Sequence, residues 1–185
     1  DAWVINYTNP MSVCLKTLYS VYPKIKAFGC CHEVFGAQIV LAAAVKKYLN
    51  IDMTIHDMDI EVSGINHFTW ISKAVYKNID LIPLYKRLVE EYKDTGFTDG
   101  SDDNWMNNFF KSAHMVKFDL FNRFGIIAAA GDRHLAEFCP GAWYLKDKDQ
   151  ITKLKFNLTP ISWRKEDFKN RLEKSSKLAS GQEKF

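Results

Sequence analysis

Four short segments combine ionisable or amide side chains with glycine or proline: Thr8-Asn9-Pro10, Gly29-Cys30-Cys31-His32, Gly64-Ile65-Asn66-His67 and Gly131-Asp132-Arg133-His134-Leu135-Ala136-Glu137-Phe138. Each falls where an apolar run gives way to a turn or a helix, the junction at which open α/β sheets bind ligands. Cys31 stands at the start of a helical stretch, where free backbone N–H groups and the positive end of the helix dipole favour a thiolate, the form that binds metal. A buried structural thiol is the competing reading. His67 ends a strand; it reads either as a ligand or as a hydrogen-bonded core histidine. One thiolate and one imidazole from distant segments make a sparse site. Its vacant positions suit water and substrate oxygens, as a catalytic metal requires and a structural metal does not. Asp132 has the chemistry of a general base, and Arg133 that of a clamp for a hydroxyl or carboxylate. The same residues also read as a helix cap and as an Arg133–Glu137 surface ion pair.

The elements that must position these residues follow from the hydrophobic pattern. Trp3–Tyr7 reads as a strand that halts at Asn9-Pro10, Ser12–Tyr22 as a helix and Lys24–Phe28 as a second strand. His32–Leu49 carries Val34, Ala37, Val40, Leu41 and Ala44 as one apolar stripe and is expected to be a helix. Met53–Trp70 shortens toward alternation and is read as strands continuing through Ile71 to Tyr76. Ile82–Tyr92 is an amphipathic helix, Asp94–Asp103 a loop and Trp105–Phe124 a helix stopped by Gly125. A further helix starts near Asp132 and ends at Cys139-Pro140-Gly141, and Ile161–Lys177 is the last. The fold class is α/β in the mixed α+β sense, helix-rich with a small sheet. No G-x-G-x-x-G loop occurs, so these residues hold no dinucleotide pyrophosphate by that device.

With 185 residues, 47% of them hydrophobic and 14% aromatic, the chain has ample material for one packed core. The 25 basic and 22 acidic residues are interspersed, which argues against a nucleic-acid partner. Four cysteines, two of them adjacent, make a poor disulfide framework and point to a reducing, cytoplasmic compartment. No apolar run is long enough for a bilayer, so no membrane partner is expected. The chain opens without Met, already inside a strand, and reads as an excised piece.

Taken in order, Thr8-Asn9-Pro10, Cys31-His32, Gly64-Ile65-Asn66-His67 and Gly131-Asp132-Arg133-His134-Leu135-Ala136-Glu137-Phe138 resemble glycoside hydrolase family four, the NAD- and divalent-metal-dependent glycosidases, in their α-galacturonidase and α-glucosidase-like branch. The resemblance covers Asp1 to about Trp163. It implies a lactate/malate-dehydrogenase-like catalytic domain, with residues 1–28 ending a Rossmann-like nucleotide-binding part and 29–185 forming an incomplete metal- and substrate-binding domain. It implies hydrolysis of α-glycosidic bonds by redox-assisted elimination and addition with NAD and Mn2+, outside the two-carboxylate scheme. By the same resemblance Cys31 and His67 match the metal ligands, with Cys31 also catalytic, and Asn9, His32, Arg133 and His134 match groups that hold the sugar. Asp132 matches the carboxylate that serves as base in part of the family, other branches placing a Tyr nearby. No residue here matches the NAD site, so the piece alone is expected to be inactive, and the full-length protein a homo-oligomer acting on a small glucoside or galacturonide. The rival readings are a lactate- or malate-type dehydrogenase and a non-catalytic remnant of the fold.

Overall fold

The computed structural model describes residues 2–98, 112–158 and 160–182. Its first unit is a strand–helix–strand crossover: β1 (Val4–Asn6), α1 (Met11–Val21) and β2 (Ala27–Gly29). The strands are parallel, pairing Val4 with Ala27 and Asn6 with Gly29, which is the geometry a helical crossover permits. The second strand is shorter than the expected Lys24–Phe28, because Ile25 donates its backbone N–H to Tyr22 at 3.0 Å and closes a turn. The Asn6 amide donates to the carbonyls of Thr8 and Met11, both at 3.3 Å, and so fixes the Thr8-Asn9-Pro10 loop.

Helix α2 (Glu33–Leu49) buries Ala37, Val40, Leu41, Ala44 and Val45, one face at 3.6-residue spacing. It stops at Asn50, whose left-handed φ of 55° terminates the hydrogen-bond ladder. Met53–Trp70 is not continuous strand. Thr54 caps a single 3-10 turn (Ile55–Asp57): its hydroxyl accepts from the His56 N–H, and its own N–H donates to Asp57 at 2.7 Å. These local side-chain bonds offer the backbone an alternative to the sheet.

The second sheet has four antiparallel strands: β3 (Asp59–Ile65), β4 (Phe68–Tyr76), β5 (Ile79–Asp80) and β6 (Ile127–Ala128). β4 is central, pairing with β3 along its whole length and with β5 and β6 at different points. Helix α3 (Ile82–Tyr92) lies where the sequence predicts it. Helix α4 (Met115–Phe124) starts later than the expected Trp105. Residues 105–111 lie outside the described residues; Ser112 forms an antiparallel bridge with Phe156, and His114 adopts a left-handed φ of 59°, so the chain turns into the helix only at Met115. After β6 come α5 (Asp132–Phe138), two short helices the sequence pattern did not reveal, α6 (Gly141–Tyr144) and α7 (Lys148–Lys153), and the exposed α8 (Ile161–Ala179).

The result is mixed α/β, helix-rich, with small sheets. One core joins α2, α3 and α4 to β4 through Leu41, Val45, Ile71, Leu88 and Phe118. A second joins the other side of α4 to α5 through Val116, Leu120, Leu135, Tyr144 and Phe156. No helix among the described residues is long and apolar enough to cross a membrane.

The β3–β4 hairpin turns on Asn66 and His67, between the paired Ile65 and Phe68. Gly64 just before it has a φ of 121°, and an added Cβ would lie 2.5 Å from the Phe68 carbonyl oxygen and 3.0 Å from Thr69 Cα. Only glycine takes that conformation without strain. Gly64→Ala is therefore expected to lower stability by about 2 kcal/mol or more, read as a fall in the thermal midpoint by circular dichroism.

Candidate metal centre

Three elements aim ionisable side chains at one another. The start of α2 brings Glu33 and the segment just before it Cys31, the β3–β4 turn brings His67, and the first turn of α5 brings Arg133 and His134. Cys31 Sγ lies 3.7 Å from His67 Nε2. Glu33 Oε2 lies 4.0 Å from the same nitrogen, and each of the three residues offers a ligand atom within 4.8 Å of the others. The rings of His67 and His134 stack face to face, 4.2 Å apart and 7° from parallel. His134 Nε2 is 3.2 Å from Glu33 Oε1, and its Nδ1 is 3.4 Å from Glu137 Oε2.

His67 reaches this position through an unusual backbone. Its φ of 65° is left-handed, a conformation that costs a residue with a Cβ about 1–2 kcal/mol and that Gly or Asn would take more readily. The surrounding hairpin holds that strain, a pattern found at functional sites.

Burial governs the electrostatics, because removing water disfavours whichever form is charged. Desolvation raises the Cys31 thiol and the adjacent Glu33 charge adds to this, while the backbone N–H groups of Glu33 and His32 donate to the sulfur and oppose it. Desolvation pushes Glu33 up to about 7, against the nearby positive charges of Lys117 and Arg133. It lowers His67, with Arg133 and His32 acting in the same direction. His134 is lowered by burial and then by its neighbours His67 and Arg133. All four are thus held toward their neutral forms.

The donor set suits a divalent cation. In a tetrahedral zinc site, donors at about 2.0 and 2.3 Å lie about 3.6 Å apart, close to the observed sulfur–nitrogen separation. His32 is exposed and stacks on Tyr7 at 6.2 Å; Asn9 is exposed, and no described contact joins it to the cluster. Arg133 is half-buried, with Nη2 3.4 Å from His134 Nε2.

Asp132 is placed differently from a base at the open face. It is fully buried, and its two carboxylate oxygens accept the N–H groups of Val116 and Lys117, each at 3.1 Å. Those are orphan donors of the first turn of α4, so Asp132 on α5 caps a different helix and ties the two together. Two residues escaped sequence reasoning. Glu33 is the third donor of the cluster; its signal was the run Cys31-His32-Glu33 at a helix start. Lys117 is buried beneath the site, and its charge acts on both Glu33 and Asp132; a lysine inside the apolar run Met115–Phe118 was the clue. A separate cavity of about 490 Å³, lined by Phe68, Trp70, Phe124, Phe138 and Trp143 among others, is almost wholly apolar and shares no residue with the cluster.

The architecture and the cluster together describe a mixed α/β domain with a sulfur–nitrogen–oxygen donor group that could hold a metal ion. The profile of the Family 4 glycosyl hydrolase C-terminal domain matches residues 62–183, and that of Family 4 glycosyl hydrolase matches residues 1–47. The chain belongs to glycosyl hydrolase family 4. An alpha-galacturonidase of Thermoanaerobacterium saccharolyticum is 58% identical over 186 residues, 100% of this chain and 40% of that protein. The crystal structure of lplD from Bacillus subtilis, assigned as a glucosidase, aligns with a TM-score of 0.78 at 49% identity, over 98% of this chain and 41% of that one. A 6-phospho-alpha-glucosidase from gut microorganisms, crystallised with NAD and Mn2+, aligns at 19% identity and a TM-score of 0.49 over 82% of this chain and 32% of that one. The chain therefore spans about 40% of the length of the curated relatives it matches.

Asp132→Ala would leave two buried N–H groups without an acceptor. It is expected to cost about 2–4 kcal/mol, read as a lower urea midpoint with an unchanged slope.

Proposed function

We propose that this chain is the metal- and sugar-binding part of an α-glycosidase that cleaves an α-galacturonide with the help of a divalent cation, Mn2+ first, and of NAD. The observation that carries the reading is the 3.7 Å approach of Cys31 Sγ to His67 Nε2, from segments far apart in sequence, beside further polar side chains. Cys31 and His67 would hold the cation, which when bound polarises sugar oxygens and offsets negative charge developing on them. No residue of this chain is assigned to NAD, whose glycine-rich cradle is not among these 185 residues. The residues 1–28 are assigned to the end of the nucleotide-binding half, and the rest to a catalytic domain of the lactate/malate-dehydrogenase-like kind.

The chain's own groups bind and orient. Arg133 and His134 lie on one helical turn above the cluster, and His32 with Asn9 flanks it on the loop side. All four are assigned to sugar hydroxyl groups, Asn9 by resemblance alone, and the Arg133 cation suits a sugar carboxylate, in line with the name of the Thermoanaerobacterium saccharolyticum relative. Asp132 acts by positioning: its bonds to α4 fix the first turn of α5 and so the direction of Arg133 and His134. The stacked imidazoles, held neutral by burial, avoid the repulsion that two imidazolium rings at 4.2 Å would suffer.

The test is turnover of a nitrophenyl α-galacturonide by the full-length protein with NAD and Mn2+, repeated with Cys31→Ser. The variant is expected to lose metal-dependent turnover by at least about a hundredfold. Unchanged turnover would remove Cys31 from the mechanism.

A further inference from the structure

Glu33 has two carboxylate oxygens in different situations. Oε1 is engaged, 3.2 Å from His134 Nε2. Oε2 is buried and has no hydrogen-bond partner among the described residues, although buried acceptor atoms are nearly always bonded. That oxygen points into the space that Cys31 Sγ and His67 Nε2 also face, 4.0 Å from the imidazole nitrogen. Positive charge reaches Glu33 from Lys117 and Arg133, yet neither occupies the Oε2 position within hydrogen-bonding distance.

We propose that Glu33 is a third protein ligand of the divalent cation, through Oε2, and that its other oxygen ties the same carboxylate to His134. In a tetrahedral zinc site nitrogen and oxygen donors lie about 3.4 Å apart, so the observed 4.0 Å separation closes with a side-chain adjustment of roughly 0.6 Å. The proposal rests on the reading of Cys31 and His67 as ligands and deepens it. With the sulfur and the imidazole it makes the set three protein donors, still leaving at least one position for a substrate oxygen or water. It also gives His134 a fixed partner. Glu33 Oε1 at Nε2 and Glu137 Oε2 at Nδ1 hold the ring from both sides. A cation–carboxylate–imidazole relay then sets how His134 presents itself to a sugar, in the way outer-sphere partners orient ligating groups.

The experiment is calorimetric titration of Mn2+ alone into the full-length protein, its Glu33→Gln, Cys31→Ser and His67→Ala variants, and Glu61→Gln as a surface control, with far-UV circular dichroism on each. The amide of Glu33→Gln keeps a neutral oxygen of the same size. Mn2+ affinity is expected to fall by about 10–100-fold in that variant and to stay unchanged in Glu61→Gln. If Cys31→Ser and His67→Ala weaken binding while Glu33→Gln binds as the wild type does, the role of Glu33 is overturned and the two-ligand reading stands. If none of the three weakens binding, the metal centre itself is misassigned. Should Glu33→Gln not fold, a crystal structure of the wild-type protein soaked with Mn2+ decides: Oε2 at about 2.0–2.2 Å from the ion upholds the proposal, and Oε2 outside bonding distance overturns it.

Discussion

A thiol, an imidazole and a carboxylate share one half-buried space, and the rest of the structure is arranged around that fact. Taking such groups out of water disfavours their charged forms, which is why Cys31 and Glu33 are raised and His67 is lowered. A bound cation reverses the balance, since metal ligation requires the deprotonated thiol and carboxylate and the neutral ring. Without a cation the cluster is held toward its neutral state, and a positive ion bound there would favour the deprotonated thiol and carboxylate. An ordinary buried network would instead have paired the orphan oxygen of Glu33 with an internal donor.

Holding the three donors together falls to the packing beneath them. Helix α2 delivers Glu33, and Cys31 two residues ahead of it, because its apolar face is locked into the larger core. The β3–β4 hairpin delivers His67 through a turn in which His67 is left-handed and Gly64, just before it, has no room for a Cβ. Helix α5 delivers Arg133 and His134 because Asp132 is bonded into the start of α4. α4 contributes to both cores, so the two halves of the site are braced against the same helix.

Much of this was legible in the residues. The stripe of Ala37, Val40, Leu41 and Ala44 announced α2, and the Asn9-Pro10, Gly64 and Gly131 punctuation marked the loops that carry polar groups. The side-chain bonds of Thr54 and Asp57 were not readable as structure breakers, because their competition with the strand depends on local geometry. The short α6 and α7 carry too few turns to print a period. Pairing of Cys31 with His67 followed only from resemblance, because nothing in the spacing brings residues so distant together. The role of Asp132 was hidden for the same reason: at the start of its own helix it reads as a local cap or a base, while its partners belong to α4, in another stretch of chain. Glu33 went unnoticed beside the more conspicuous cysteine and histidine.

The account stands on one cation being held at once by sulfur and imidazole. X-ray absorption at the manganese edge of the Mn2+-loaded full-length protein reads that first shell directly. One sulfur scatterer beside nitrogen and oxygen neighbours is the predicted result. A shell of light atoms only, with no sulfur, would contradict it.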